Sequence, residues 1–231
     1  MFGFIDATYF LYILPALILG IVAQIMLSNA YGRYSKVRNA RGVTGTEAAQ
    51  HLLLYNDLGE VKLEGTPGEL TDHYDPRSDT LRLSAGVAQT PSIAALGIVA
   101  HEVGHAHQEH SNWGPMRVRA GLVPVANIGS RAGPWLVLLG VVLRFTPLAW
   151  AGIALFGVAT VFYLVTLPIE LDASRRGLEM LRNSSLVVPE EVDGARTVLR
   201  AAAWTYVAAL LTSVLQLVYF VSLVGGGRRR S

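Results

Sequence analysis

Four apolar runs, each close to the length of a bilayer-crossing helix, constrain this 231-residue chain more than any other feature. The first, Tyr9 to Leu27, has about the 20 residues that a helix needs to cross the hydrocarbon layer. A second apolar pattern begins near Gly121 and is densest from Leu136 to Leu143; Leu148 to Pro168 and Ala201 to Val224 are the third and fourth. Pro15 and Gly20, inside the first run, are tolerated in membrane helices because neighbouring groups satisfy the backbone they free. A buried core helix would explain one such run, but not several in so short a chain. Only 16% of the residues are charged and 52% are hydrophobic, whereas a soluble domain carries about 25% charged residues. No basic residue precedes the first run, and the run is longer than the apolar core of a signal peptide, so it reads as an uncleaved anchor.

One substantial polar segment, residues 32 to 110, follows the anchor. Thr44 or Thr46 caps a helix whose body is Ala48 to Tyr55. Val61-Lys62-Leu63-Glu64 and Thr80-Leu81-Arg82-Leu83-Ser84 alternate apolar and polar residues as half-buried strands do, and Leu70 to Pro76 between them reads as a polar stretch ending in a turn. Pro91 and Ser92 then open a helix over Ile93 to Glu109. The expected organisation is an N-terminal transmembrane anchor (1–31), a small α+β domain (32–116), a transmembrane hairpin (117–168), a helical segment (169–200), and a last transmembrane helix with a basic tail (201–231).

The Ile93–Glu109 helix carries His101-Glu102-Val103-Gly104-His105, which fits H-E-x-x-H. At about 100° per residue the two histidines differ by roughly 40° around the helix, so both imidazoles face one point and can hold a zinc ion. Glu102 is offset far enough to reach a zinc-bound water without displacing it. A catalytic zinc site takes three protein ligands, and the chain has no cysteine, so the third must be a distant acid or histidine. Glu170, just past the third apolar run, is the first candidate, and Asp172 the second. Asp172 has an alternative role, hydrogen-bonding a ligand imidazole from behind. His107 and His110 fall on other faces of the helix and read as solvated. Asp72 and His73 are either turn residues or cleft lining. Arg175 and Arg176 read as a charge pair flanking the membrane, with a substrate or oxyanion role as the alternative.

Basic residues cluster beside the apolar runs, at Arg33 to Arg41, at Arg117 and Arg119, and from Arg175 to Arg200. They read as topology signals that place these segments in the cytoplasm, rather than as a nucleic-acid surface, for which no recognition motif is present. The H-E-x-x-H helix and the segment after residue 168 then share the cytoplasmic side. With four spans, the Arg228 to Arg230 tail would lie outside, against the same rule.

The block from Leu-Thr-Asp-His-Tyr-Asp-Pro (70–76) through His-Glu-Val-Gly-His-Ala-His-Gln (101–108) resembles the YugP-like neutral zinc metallopeptidases of bacterial membranes. Glu-Leu-Asp-Ala-Ser-Arg-Arg (170–176) matches that family's second signature. The resemblance implies a zinc peptidase of the bacterial inner membrane, an α-helical integral membrane protein with about four transmembrane helices and a small zincin-like (gluzincin) α+β catalytic domain. A more distant similarity is to the CAAX prenyl protease and heat-shock membrane protease group, in which a helix bearing Glu-x-x-Ala-Asp supplies the third ligand. Glu170 and Ala173 match it, while Ser174 stands in place of the final acid. That similarity implies that substrate backbone pairs with a strand around Thr80 to Ser84.

The expected activity is endopeptidase hydrolysis by zinc-activated water on a peptide or membrane-protein substrate, with His101, His105 and Glu170 as ligands, Glu102 as general base, and His73, Tyr74 and Arg175 as unranked oxyanion donors. The alternative, a non-catalytic zinc-binding membrane scaffold, usually lacks the base or a ligand, and this chain retains Glu102 and both histidines. A metal-dependent transporter would need ionisable residues within the spans, and these carry few.

Overall fold

A computed structural model describes residues 7–226; residues 228–230, the arginines of the basic tail, lie outside the described residues. Among the described residues the order is α1 (Ala7–Tyr34), α2 (Gly45–Tyr55), β1 (Lys62–Thr66), β2 (His73–Asp75), β3 (Thr80–Ser84), α3 (Ala85–Ala88), α4 (Ile93–His110), α5 (Gly114–Val142), α6 (Thr146–Asn183) and α7 (Pro189–Gly226). The protein is mostly helical, and α1, α5, α6 and α7 are long and apolar enough to cross a membrane. Prolines sit inside three of these helices, at Pro15, at Pro124 and Pro134, and at Pro168. The third apolar run and the Glu170–Arg176 block therefore lie on one unbroken helix. The chain breaks only at 184–188, before α7 starts on Pro189 with Glu190 and Glu191 in its first turn, where proline lacks no needed donor and acids suit the helix dipole.

The chain divides into two compact units. The first takes its described residues from 7–23, 117–168 and 205–226. Its interior is a cluster of Val137, Ala149, Ile153, Phe156, Tyr219 and Phe220. Close helix approach builds it: a Cβ on Gly133 would meet Phe156 of α6 at 2.9 Å, and one on Gly152 would meet the Val137 amide at 2.7 Å. Without a hydrophobic drive between helices in lipid, such small-residue contacts and hydrogen bonds hold spans together. The hydroxyls of Thr160 and Ser213 supply one such bond, at 2.7 Å. Apolar residues also face outward here, with Leu11 71% and Trp135 66% exposed, as a lipid-facing surface requires.

The second unit comprises 24–116 and 169–204. Its mixed sheet has the order β1-β3-β2, with β1 parallel to β3 (Lys62↔Thr80 to Thr66↔Ser84) and β2 antiparallel to it (His73↔Arg82, Asp75↔Thr80). Two sequence expectations change. The 70–76 stretch is not only a connection, because it contains β2: Asp75 accepts hydrogen bonds from Ser78 Oγ, the Arg77 amide and Arg82, and so closes a tight β2–β3 turn. The strand at 80–84 cannot receive a substrate backbone, because β3 is the central strand and both of its edges are already paired.

Capping fixes the helix starts. Thr44, not Thr46, caps α2 in a reciprocal box with Glu47, and Ser92 Oγ accepts from the Ala95 amide at the start of α4. Leu52, Leu81, Leu83, Leu96, Val99, Val103 and Leu181 form the core of this unit, so α4 runs through its centre.

Candidate metal centre

Burial of its apolar face places α4 against the 169–183 part of α6, and two glycines set how near the backbones come. A Cβ on Gly177 would meet Ala100 O at 2.5 Å and the His101 amide nitrogen at 3.0 Å; a Cβ on Gly104 would meet the Ala173 carbonyl carbon at 3.0 Å and its oxygen closer still. The helices therefore touch backbone to backbone beside His101 and His105.

At this crossing His101, His105 and Glu170 converge, with their candidate ligand atoms all within 4.8 Å of one another. Glu170 Oε2 lies 3.3 Å from His101 Nε2 and 3.4 Å from His105 Nε2. A tetrahedral zinc with bonds of about 2.0–2.1 Å sets its ligand atoms about 3.3–3.4 Å apart, so these two spacings are edges of the expected polyhedron. The rings are turned for it as well. His105 Nδ1 bonds Gln108 Oε1 at 3.0 Å and His101 Nδ1 bonds Ser174 Oγ at 3.0 Å, leaving both Nε2 atoms directed at Glu170. The donor set of two imidazole nitrogens and one carboxylate oxygen fits zinc.

Glu102 is buried on the adjoining face of α4, 9% exposed, and its Oε2 accepts the Tyr74 amide at 3.0 Å. Burial pushes its carboxyl up to about 7, against the pull of His101, while the negative charge of Glu170 adds to the rise.

The remaining sequence candidates are placed as follows. Asp172 touches no imidazole; it accepts from Gln108 Nε2 (3.0 Å), Arg175 (2.5 Å) and Arg176 Nε (2.6 Å). Arg175 is mostly exposed and is engaged by Asp172 and Glu179. His73 is exposed, with Nδ1 on Thr71 O at 2.7 Å. The Tyr74 hydroxyl donates to Asp79 at 2.7 Å, and burial together with that bond raises its pKa well above the usual tyrosine range. Tyr74 thus meets Glu102 through its amide rather than its ring. Asp72 caps Ser84 through its amide and hydroxyl. His107 and His110 are not simply solvated: Arg176 donates to His107 Nδ1 at 2.7 Å, and His110 pairs with Asp79 at 3.0 Å.

Sequence reading assigns no site role to Gln108, Gly104 or Gly177, and marks Ser174 only as standing in place of an acid. A signal existed for two. Gln108 is three residues past His105, and Ser174 four past Glu170, spacings that share a helix face.

The fold and donor set describe a membrane zinc protein, and the comparisons narrow that class. Residues 9–225 match the family described as "Putative neutral zinc metallopeptidase", and the chain belongs to that family. It is similar to the "Putative membrane protease YugP" of Bacillus subtilis (strain 168), 40% identical over 215 residues that cover 93% of this chain and 96% of the relative. No solved structure matches the chain. Zinc is the cofactor this family implies, and the His101–His105–Glu170 cluster is where the described residues can hold it.

Proposed function

We propose that this chain is a zincin-like (gluzincin) metalloendopeptidase embedded in the bacterial inner membrane, hydrolysing peptide bonds of membrane proteins or tethered segments. His101, His105 and Glu170 are its zinc ligands and Glu102 its general base. The observation that carries this reading is the match of the two Glu170–imidazole spacings to tetrahedral edges, with a buried carboxylate one residue from the first ligand.

Zinc bound there would supply Lewis acidity and lower the pKa of water to about 7. The residues of the chain do the rest. Glu102 takes a proton from the attacking water as its oxygen bonds to the scissile carbon, and passes that proton to the leaving amine as the C–N bond breaks. Burial raises the proton affinity of the Glu102 carboxyl, which favours its taking that proton. The Tyr74 amide holds Glu102 Oε2 and so fixes which oxygen can turn to the water. Because that amide points away from β3, antiparallel alternation sends the Tyr74 carbonyl to the same side. The outer edge of β2, not β3, is then the place for an extended substrate backbone, with the Tyr74 carbonyl accepting a substrate N–H.

The decisive test is Glu102→Gln, an isostere that leaves the three ligands in place. Purified protein should retain wild-type zinc content and lose cleavage of membrane-protein substrates; persistent proteolysis would refute the mechanism. The cytoplasmic placement rests on the basic segments flanking the spans. With no cysteine in the chain, Arg77→Cys on the exposed β2–β3 turn gives one labelling site, and an impermeant thiol reagent should reach it only after the cytoplasmic side is opened.

A further inference from the structure

The side chain of Gln108 is fully buried, and each of its polar atoms is engaged. Nε2 donates to Ile169 O at 2.9 Å and to Asp172 Oδ2 at 3.0 Å, while Oε1 faces His105 Nδ1 at 3.0 Å. A carbonyl and a carboxylate oxygen both require donors, so the amide nitrogen must lie on the α6 side and the oxygen on the His105 side. His105 therefore carries its proton on Nδ1, which leaves the Nε2 lone pair directed at Glu170. The same amide grips the carbonyl of Ile169, the residue immediately before Glu170. One neutral side chain thus sets the tautomer of a ligand on α4 and the position of a ligand on α6.

Asp172 completes the arrangement from behind. Its Oδ2 takes both Gln108 Nε2 and Arg176 Nε, and its Oδ1 takes Arg175. Arg176 extends the chain of contacts to His107 Nδ1 and stacks over Trp113 with its guanidinium carbon 5.6 Å from the ring centroid. The Asp172 carboxylate is thereby held by two guanidinium groups.

We infer that Gln108 is the positioning residue of the metal centre, orienting His105 and Glu170 together through one amide. This inference rests on the ligand set proposed above. Hydrogen-bond partners of ligating imidazoles are typically worth about 10- to 100-fold in metal affinity.

The test uses full-length protein in detergent micelles, Zn2+ titrated against a competing chelator, and Co2+ as a spectroscopic stand-in. Gln108→Met keeps the side chain's length without its hydrogen bonds, and Gln108→Glu keeps an oxygen that accepts from Nδ1. The expected result is a Zn2+ affinity about 10- to 100-fold weaker in Gln108→Met, a changed Co2+ visible spectrum, and a smaller loss in Gln108→Glu. A role in packing alone would lower the melting temperature of the metal-free protein and leave affinity and spectrum unchanged, which would overturn the inference. Equal losses in the two variants would also overturn it, because Oε1 would then not be the operative atom. Should Gln108→Met fail to fold, Gln108→Glu still decides, since it keeps the acceptor for His105 and loses the donors to Ile169 O and Asp172: affinity within twofold of wild type refutes the inference, and a larger loss supports it. Wild-type protein that binds no Zn2+ would instead refute the ligand set itself, a separate outcome read before any variant.

Discussion

Replacing Gly177 by alanine tests whether the helix crossing sets the geometry of the metal centre. The new methyl would lie 2.5 Å from Ala100 O, 2.6 Å from the Ala100 carbonyl carbon and 3.0 Å from the His101 nitrogen. Non-bonded heavy atoms settle about 3.5 Å apart, so relief requires roughly 1 Å of separation between α4 and α6 at this point. Both neighbours are backbone, and no flexible side-chain end can give way instead. Glu170 lies seven residues before Gly177 on the same face of α6, so the separation would stretch the 3.3 Å and 3.4 Å ligand edges towards about 4 Å. Metal–ligand distances tolerate only about 0.2 Å. Overpacking of this kind costs about 1–3 kcal/mol; if that strain is felt mainly in the metal-bound form, affinity falls roughly 5- to 150-fold. Chelator-competition titration of Zn2+ on the purified variant reads the loss directly. Gly65→Ala, whose Cβ would meet nothing within 4 Å, is the control and should bind as wild type. A folded Gly177→Ala protein with unaltered zinc affinity would show that the crossing does not govern the site.

Two further outcomes follow from the same geometry. Glu170→Gln removes the ligand charge at constant shape, and zinc content by elemental analysis should drop from about one per chain to well below it; full occupancy would rule Glu170 out as a ligand. Stability in acid should depend on Asp75, whose carboxyl is lowered to about 2, first by the Ser78 hydroxyl and then by the Arg77 amide and Arg82. A depressed folded-state pKa gives stability that is present above about pH 4, the ordinary aspartate value, and is lost as pH falls towards 2. Asp75→Asn should flatten that part of the melting-temperature profile, and an unchanged slope would refute the assignment.

Much of the frame was legible because membrane spans and H-E-x-x-H obey simple periodicities. Run length alone located α1, α5, α6 and α7, and a 40° offset brought His101 and His105 to one point. The misreadings share a different cause. β2 is three residues long and carries no alternation to detect; it exists because Asp75 gathers a turn around itself. The central position of β3 is a matter of sheet order, which local pattern does not encode. The spacing of Gln108 from His105 puts both on one helix face, but its contacts with Ile169 and Asp172, 61 and 64 residues away, carry no sequence signal. Gly177 was missed for the same reason: a glycine signals close approach only once the partner backbone is known.

The way the second unit is assembled has a consequence for synthesis. Its residues come from two separated stretches, 24–116 and 169–204, with the first unit's 117–168 between them. The Ala40 amide, for example, donates to Glu191 Oε1 at 2.6 Å across 151 residues of chain. A ribosome that has just completed H-E-x-x-H has made two candidate ligands and a half-core with nothing to close it. Sixty-three further residues (106–168) must be added before Ile169 and Glu170 exist, and about twenty more before α7 can seal the loop at Ala40. Loop-closing contacts this remote are slow to form, and the candidate metal site can be closed only after 117–168 has been made.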